Sequence, residues 1–281
     1  MDIFVSNGFM RSDVVTSIET LIKNNFRKIE LSKGLCDAST LNALKLFRKQ
    51  GIELRLHNYF PNIGTPFVLN LASADSDVVN RSKDLIQKAL EWSSELNASY
   101  YAFHAGFRLS PHIDELGGNL NQHTLMPLDE TKDRFLSELS HLSVRACELG
   151  VTIAVENNVY DSKNYDVFGS DNPLLLTGSV NTDLDLPSDV GILLDFGHLN
   201  VSAFTEKFDK ISCIHRWSGK INGYHISDNN QLFDSNSVIT NDSWFWEHIN
   251  KSVTNITLEV YEENLDKLSD NVTLLESFYD N

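Results

Sequence analysis

The sequence predicts a single (β/α)8 barrel. Three observations carry that expectation. Eight short apolar runs, rich in β-branched residues, recur along the chain, and most are followed by an amphipathic segment. No linker, low-complexity tract or composition break divides the 281 residues. Several of the runs stop abruptly at a histidine or an acid, as in VTIAVENN over Val151 to Asn158, which ends in Glu156. Alternating strand and helix implies a parallel sheet. Eight repeats suggest closure, with functional groups on the loops after the strands. Barrels of this kind run to roughly 250 residues as one domain, so one domain over residues 1–281 is expected.

The elements follow in order. Ile3 to Ser6 is the first strand. Ser12 is a plausible cap for the amphipathic stretch that runs to Asn25. Lys28 to Ser32 is the second strand. Ser39 to Gln50 places Leu41, Leu44, Leu46 and Phe47 on roughly one helical face, and Gly51 ends it. Glu53 to His57 is the third strand. Asp75 to Asn97 reads as a long helix, because Val78, Leu85, Ile86, Leu90 and Trp92 recur at helical spacing. Tyr100 to His104 is the fourth strand, followed by a polar insertion from Phe107 to Pro127 that includes Gly117-Gly118. A loop of that length in a compact domain is more often functional than not. Leu128 to Leu149 is a helix closed by Gly150.

VTIAVENN is the fifth strand. Between Tyr160 and Val190 the chain is polar, with a short helical piece expected at Asn172 to Thr177. Val190 to Asp195 is the sixth strand and Ala203 to His215 a helix. Ile221 to His225 is the seventh strand. A second long loop, Asn230 to Asp242, and a short helix at about Trp244 to Lys251 come next. Ile256 to Glu259 is the eighth strand, and Glu262 to Tyr279 the closing helix.

Composition narrows the function classes. With 41% hydrophobic and 22% charged residues the chain is ordinary for a globular protein. Its formal net charge of −16 repels phosphate, and non-specific nucleic-acid affinity comes from Lys and Arg neutralising phosphates. Nucleic acid and anionic membrane surfaces are therefore disfavoured as partners. No apolar run approaches the ~20 residues that span a bilayer, and MDIFVSNGF has neither the basic start nor the apolar stretch of a signal peptide. Cys36, Cys147 and Cys213 are odd in number, far apart and in no CxxC pair. They read as reduced thiols, so a cytoplasmic location is expected.

The strand ends carry the chemistry. The third ends in His57, the fourth in His104, the fifth in Glu156 and the sixth in Asp195, with His198 just beyond. The seventh has His225 and then Asp228, and the eighth Glu259. Burying a charge costs several kcal/mol unless something pairs with it. A ring of two Glu, one Asp and one His suits a divalent ion, with His also acceptable to Mn²⁺, Co²⁺ and Zn²⁺. Taken singly, each residue has a blander explanation. A strand-end His is more often a hydrogen-bonder, and Asp195 could be a helix N-cap. That explanation weakens when it must hold for Glu156, Asp195, His225 and Glu259 together. His112, His123, His141, His215 and His248 end no strand and read as surface or packing residues. Trp244 and Trp246 read as packing.

The pieces LRLHNYF, YAFHAGF, IAVENN, LLDFGHLN, YHISDNN and TLEVY, in that order, resemble the xylose isomerase-like TIM-barrel superfamily. That group includes sugar isomerases and epimerases, inosose dehydratases and AP endonucleases of the endonuclease IV type. The resemblance implies one divalent metal (Mn, Mg, Co or Zn) held by Glu156, Asp195, His225 and Glu259. It implies acid–base work at Glu156 and Glu259, which would move a proton α to a carbonyl through an enediolate, on a small carbohydrate substrate. His198 would contact a substrate hydroxyl, and Arg108 and Asp228 would be further substrate contacts, Arg108 for an anionic group. In the endonuclease branch the positions of His57 and His104 bind a second metal with Glu156. A third ion there needs an Asp-x-His motif, and this chain has Asp234-Ser235-Asn236 instead. A metal-dependent dehydratase and, behind it, a phosphodiesterase are the alternatives. A non-catalytic sugar-binding barrel is the reading from another class. Members often pair through barrel faces, so a homo-oligomer is a further expectation.

Overall fold

Eight parallel strands close on themselves in chain order. They are β1 (Ile3–Ser6), β2 (Lys28–Leu31), β3 (Glu53–His57), β4 (Tyr100–His104), β5 (Thr152–Glu156), β6 (Val190–Asp195), β7 (Ile221–Ile226) and β8 (Asn255–Leu258). β1 pairs with β8 to complete the barrel. The computed structural model describes residues 2–62, 64–115, 120–121 and 123–280. Gly117-Gly118 lie outside them.

Every strand has two buried faces, because helices cover the outside and side chains fill the inside. The outward positions are large and apolar. Val5, Ile29, Leu31, Leu54, Leu56, Phe103, Ile153, Val155, Ile192, Leu194, Ile256 and Leu258 all join one core beneath the helices. Each such side chain stabilises the fold by roughly 1.5–3 kcal/mol when fully buried. Alternate positions point inward and are of a different kind. Tyr100, Ala102, Ala154 and Leu193 form a separate small cluster in the barrel. Glu30, Arg55, His57, Glu156, Asp195, His225 and Thr257, also buried, share that inward parity.

Gly223 lets the lower barrel close. A Cβ there would meet the Tyr100 hydroxyl and sit 2.9 Å from its ring Cζ. The β6–β7 register shifts beside it, between Ile192 and Leu193, leaving Asn222 as the extra residue of a bulge. The Tyr100 hydroxyl donates to Asn222 Oδ1 at 3.4 Å.

The helices are α1 (Val14–Lys23), α2 (Thr40–Lys49), α3 (Ser76–Glu95), α4 (Leu128–Leu149), α5 (Ser162–Phe168), α6 (Phe196–Glu206), α7 (Lys210–Trp217) and α8 (Leu265–Asp280). Several of their starts are set by aspartates. Asp13, not Ser12, caps α1 by accepting from the Thr16 amide at 3.0 Å. Asp75 accepts from the Asp77 amide at 2.9 Å. Gly51 (φ 85°) and Gly150 (φ 69°) follow α2 and α4 in the left-handed conformation that suits glycine.

Three helical expectations are corrected. Residues 172–177 are not helical, because their backbone bonds go to the loop after β4. Arg108 N donates to Pro173 O at 2.8 Å and Leu175 N to Gly106 O at 3.0 Å. The helix expected at Ala203 to His215 is two helices. The first starts directly at the end of β6, and the break comes at Lys207, whose φ is 57°. Residues 244–251 hold only a 3₁₀ turn at Trp246–His248. No helix among the described residues is long and apolar enough to cross a membrane. Cys36, Cys147 and Cys213 are free.

Candidate metal centre

Register brings the candidate ligands together at one mouth of the barrel. Glu156 ends β5 beside His104 on β4. Asp195 ends β6 opposite His225 on β7. Glu259 is the first residue past β8. Glu156, Asp195 and His225 are 0% exposed and Glu259 is 6% exposed. One ligand-type atom from each of the four lies within 4.8 Å of the others. His225 Nδ1 is 2.7 Å from Glu259 Oε2, 3.2 Å from Glu156 Oε1 and 3.8 Å from Asp195 Oδ2.

The donor set fits a divalent cation. Glu156 Oε1, Asp195 Oδ2 and His225 Nδ1 have no hydrogen-bond partner among the described residues. Three carboxylates buried around one imidazole repel each other and are stripped of water, an arrangement that is unfavourable without a compensating charge. Three hard oxygen donors and one nitrogen are what Mn²⁺, Mg²⁺, Co²⁺ or Zn²⁺ accept.

Electrostatics separate the four residues. Burial pushes the Asp195 carboxyl up to about 7, helped by Asp234 and Glu156 against the opposing His198. Burial also opposes ionisation of Glu156, but His104, His57 and His225 outweigh it and hold that carboxyl well below the usual range. His225 is likewise penalised by burial, and Glu30, Glu259 and Glu156 raise it well above an ordinary histidine. Burial takes His104 down to about 4, so it stays neutral.

The amides after Glu156 knit the strand ends. Asn157 Oδ1 accepts from the Asp195 amide at 2.7 Å and its Nδ2 donates to Asp195 O at 3.1 Å. Asn158 Nδ2 donates to Ala105 O at 2.8 Å and to Leu175 O at 2.9 Å. Asp195 is also a helix N-cap, its Oδ1 accepting from the His198 amide at 2.8 Å. Oδ2 is left for the centre, so the cap and the ligand are not competing roles.

His57, His104 and His198 surround the same carboxylate. His57 Nε2 lies 2.7 Å and His104 Nε2 3.4 Å from Glu156 Oε2. His104, Glu156 and His198 form a second compact group of ligand-type atoms. His198 Nδ1 donates to the Asn157 carbonyl at 2.8 Å, which leaves Nε2 facing Asp234 Oδ2 at 3.3 Å. Asn236, where the three-metal pattern has histidine, donates its side-chain amide to Glu259 O at 3.1 Å.

Two expected substrate contacts are engaged elsewhere. Arg108 is buried, its Nε donates to Met126 O at 3.0 Å, its Nη1 to Asn172 O at 2.9 Å, and it pairs with Asp171. It lines a polar cavity of about 420 Å³ with Lys132 and Glu206, and none of the four candidate ligands lines that cavity. It thus ties the loop after β4 to the segment after α5, because a buried guanidinium takes the nearest acceptors. Asp228 shapes the loop after β7. It accepts from the Asn229 amide at 2.8 Å and from Ser243 Oγ at 2.6 Å, and its backbone pairs with Ser237. Trp244 packs against Phe196 and Phe245, and Trp246 against Phe278.

Sequence reasoning missed the charged layer below the centre. Glu30 on β2 accepts from Arg55 Nε on β3 at 2.9 Å, and its other oxygen is 2.9 Å from His225 Nε2. The signal was present: KIEL and ELRLH each carry a charge mid-strand at inward parity, with opposite signs, and Glu30 pairs with Arg55 in register.

The chain belongs to the xylose isomerase-like TIM-barrel family, whose sequence profile matches residues 16–281. No curated protein sequence matches it. Solved structures that resemble it include a D-tagatose 3-epimerase-like protein, at 19% identity and TM-score 0.72 over 100% of this chain and 97% of that one. A D-psicose 3-epimerase with D-tagatose from Clostridium cellulolyticum aligns at 14% identity and TM-score 0.63 over 99% of both chains. A Thermus thermophilus protein soaked with ZnCl2 aligns at 17% identity and TM-score 0.60, again over 99% of both. At these identities the likeness establishes the fold.

Proposed function

We propose that this protein is a divalent-metal-dependent isomerase or epimerase of a sugar or sugar derivative. The observation that carries the reading is the buried Glu156–Asp195–His225–Glu259 group, with three of its donor atoms unpartnered. Two similar structures, a D-tagatose 3-epimerase-like protein and a D-psicose 3-epimerase, support the substrate class. Glu156, Asp195, His225 and Glu259 would hold the ion, which would polarise a substrate carbonyl as a Lewis acid.

The chain's own residues then do the proton work. Glu156 and Glu259 come from β5 and the end of β8, three strands apart around the barrel. One carboxylate takes the proton from the carbon next to the carbonyl, giving an enediolate. The other returns a proton to the opposite face, which inverts the centre. His198, fixed by the Asn157 carbonyl, contacts a substrate hydroxyl.

The test is solvent deuterium incorporation at a sugar carbon across a panel of ketoses and keto-inositols, with the metal-loaded protein. Incorporation is expected, and it should fall by about 10²–10⁴-fold in Glu156→Gln and in Glu259→Gln. Loss of water in place of exchange would move the reading to a dehydratase using the same carboxylates. If metal binds and no panel member exchanges or eliminates, the isomerase and lyase readings both fail.

A second reading has one observation in its favour. His57 and His104 both converge on Glu156 Oε2, as a second ion bridged by that carboxylate would require. Two ions per chain, with cleavage of abasic-site DNA at substoichiometric protein, would support a phosphodiesterase. Asn236 in place of the last histidine and the net charge of −16 weigh against it.

A further inference from the structure

We infer that Glu30 is a positioning residue for the metal ligand His225, fixing which ring nitrogen faces the ion. The inference rests on the metal centre proposed above. Glu30 is 2% exposed, in the barrel interior, one layer below the centre. Its Oε2 is held by two donors, Arg55 Nε at 2.9 Å and Thr257 Oγ1 at 2.6 Å. Arg55 Nη2 also donates to Thr257 Oγ1, and its guanidinium lies over the Phe4 ring, 4.1 Å from the centroid. Residues from β1, β2, β3 and β8 therefore lock that carboxylate in place. Strand register makes this possible, because Glu30 pairs with Arg55 and His225 with Thr257.

The second oxygen, Oε1, has no hydrogen-bond partner among the described residues, and His225 Nε2 is in the same position. The two atoms are 2.9 Å apart, off the line of the N–H. The contact is thus a close charge-to-imidazole approach rather than an in-line hydrogen bond. On its other side His225 presents Nδ1 to Glu156, Glu259 and Asp195. With an ion at Nδ1 the ring would keep a single proton, on Nε2, and the Glu30 carboxylate beside that proton favours this form. The lone pair is then on Nδ1, toward the three ligand carboxylates. A carboxylate behind a metal-bound histidine also raises its basicity, and losing such a partner typically weakens metal binding 10–100-fold.

Glu30, His57 and His225 are also close enough together to hold a cation themselves. Charge argues against that use. Arg55 already neutralises Glu30, so an ion there would meet two imidazoles and a nearby guanidinium. The same neutralisation explains how a carboxylate can stay ionised in the barrel interior.

The experiment is Mn²⁺ titration of the metal-stripped full chain by calorimetry, with ¹H–¹⁵N NMR of the histidine rings in the Zn²⁺-loaded protein. Two variants are compared with wild type. Glu30→Gln removes the charge but leaves Arg55 unpaired. Glu30→Gln with Arg55→Met removes both charges, so it remains informative if the single variant misfolds. Both are expected to bind the same number of ions as wild type with Kd weakened about 10–100-fold. In the Zn²⁺-loaded protein the His225 Nε2–H signal should move upfield once its carboxylate is gone. An unchanged Kd and Nε2–H signal, with only the unfolding midpoint moved, overturns the proposal. Loss of one ion per chain, with the rest held as tightly as before, also overturns it, because Glu30 would then be a ligand. If wild type takes up no divalent ion, the metal centre itself fails and this inference falls with it; ion uptake with an unchanged Kd in both variants overturns this inference alone.

Discussion

At the residue scale, the centre is defined by which atoms lack partners. Glu156 has both oxygens within reach of imidazoles, and Asp195 has one oxygen on a helix amide and the other free. This gives a pH prediction. In the metal-free protein the Asp195 carboxyl, raised to about 7 by burial, is largely protonated below neutrality. His225, raised well above its ordinary value against the effect of burial, also carries a proton there. A bound ion needs both in their deprotonated forms. Affinity should therefore weaken as pH falls through about 7 and strengthen above it, by up to about tenfold per pH unit for each proton displaced. Calorimetric Kd values for Mn²⁺ between pH 5.5 and 8.5, in buffers of differing ionisation enthalpy, read both the slope and the protons released. A pH-independent Kd would contradict the assignment of Asp195 as a ligand. The four proposed ligands were legible from the sequence because each lies at or next to the end of a strand. Glu30 carried only the weaker signal of a mid-strand charge at inward parity, since only the closed barrel brings β2 across from β7.

Among the elements, the strands were easier to read than the connections. Strand identity comes from short-range apolar character, and β3, β4 and β6 occupy the expected residues. The connections depend on partners distant in sequence. Residues 172–177 pair with the loop after β4, a choice no local propensity encodes. Arg108 shows the same limit: its position after His104 suggested a substrate contact, and its acceptors come from residues 126, 171 and 172. Gly223 is the element-scale test. Its lack of a side chain gives the Tyr100 ring its space inside the barrel. Gly223→Val should destabilise the protein by about 1–3 kcal/mol through overpacking. Urea denaturation, read as a lower midpoint at unchanged slope, measures it. A neutral result would mean that Tyr100 can move aside.

For the whole molecule, the barrel places its most unfavourable charges where a cation would compensate them. Removing the ion should then weaken the entire fold. At an ion concentration of 100 Kd the linked stabilisation is about 2.7 kcal/mol. For a domain of this size that corresponds to a Tm drop of roughly 5–10 °C on adding excess chelator. Differential scanning calorimetry with and without chelator, followed by return of the ion, checks both the drop and its reversal. A Tm indifferent to chelator and to added ion would argue that the buried carboxylates are compensated within the chain.

The sequence by itself determined the barrel and the set of residues at its mouth. Both follow from local regularities: apolar runs at strand length, helical periodicity between them, and polar residues where each run stops. Tertiary structure decided how those residues are used. It capped α6 with one oxygen of Asp195 while leaving the other unpartnered at the mouth, turned Arg108 into a loop clasp, and set Glu30, Arg55 and Thr257 beneath His225. The physical reason is that parallel register and closure join strands far apart in the chain. Thr257 and Glu30 share a hydrogen bond across more than two hundred residues, and no local pattern records which inward side chain will face which.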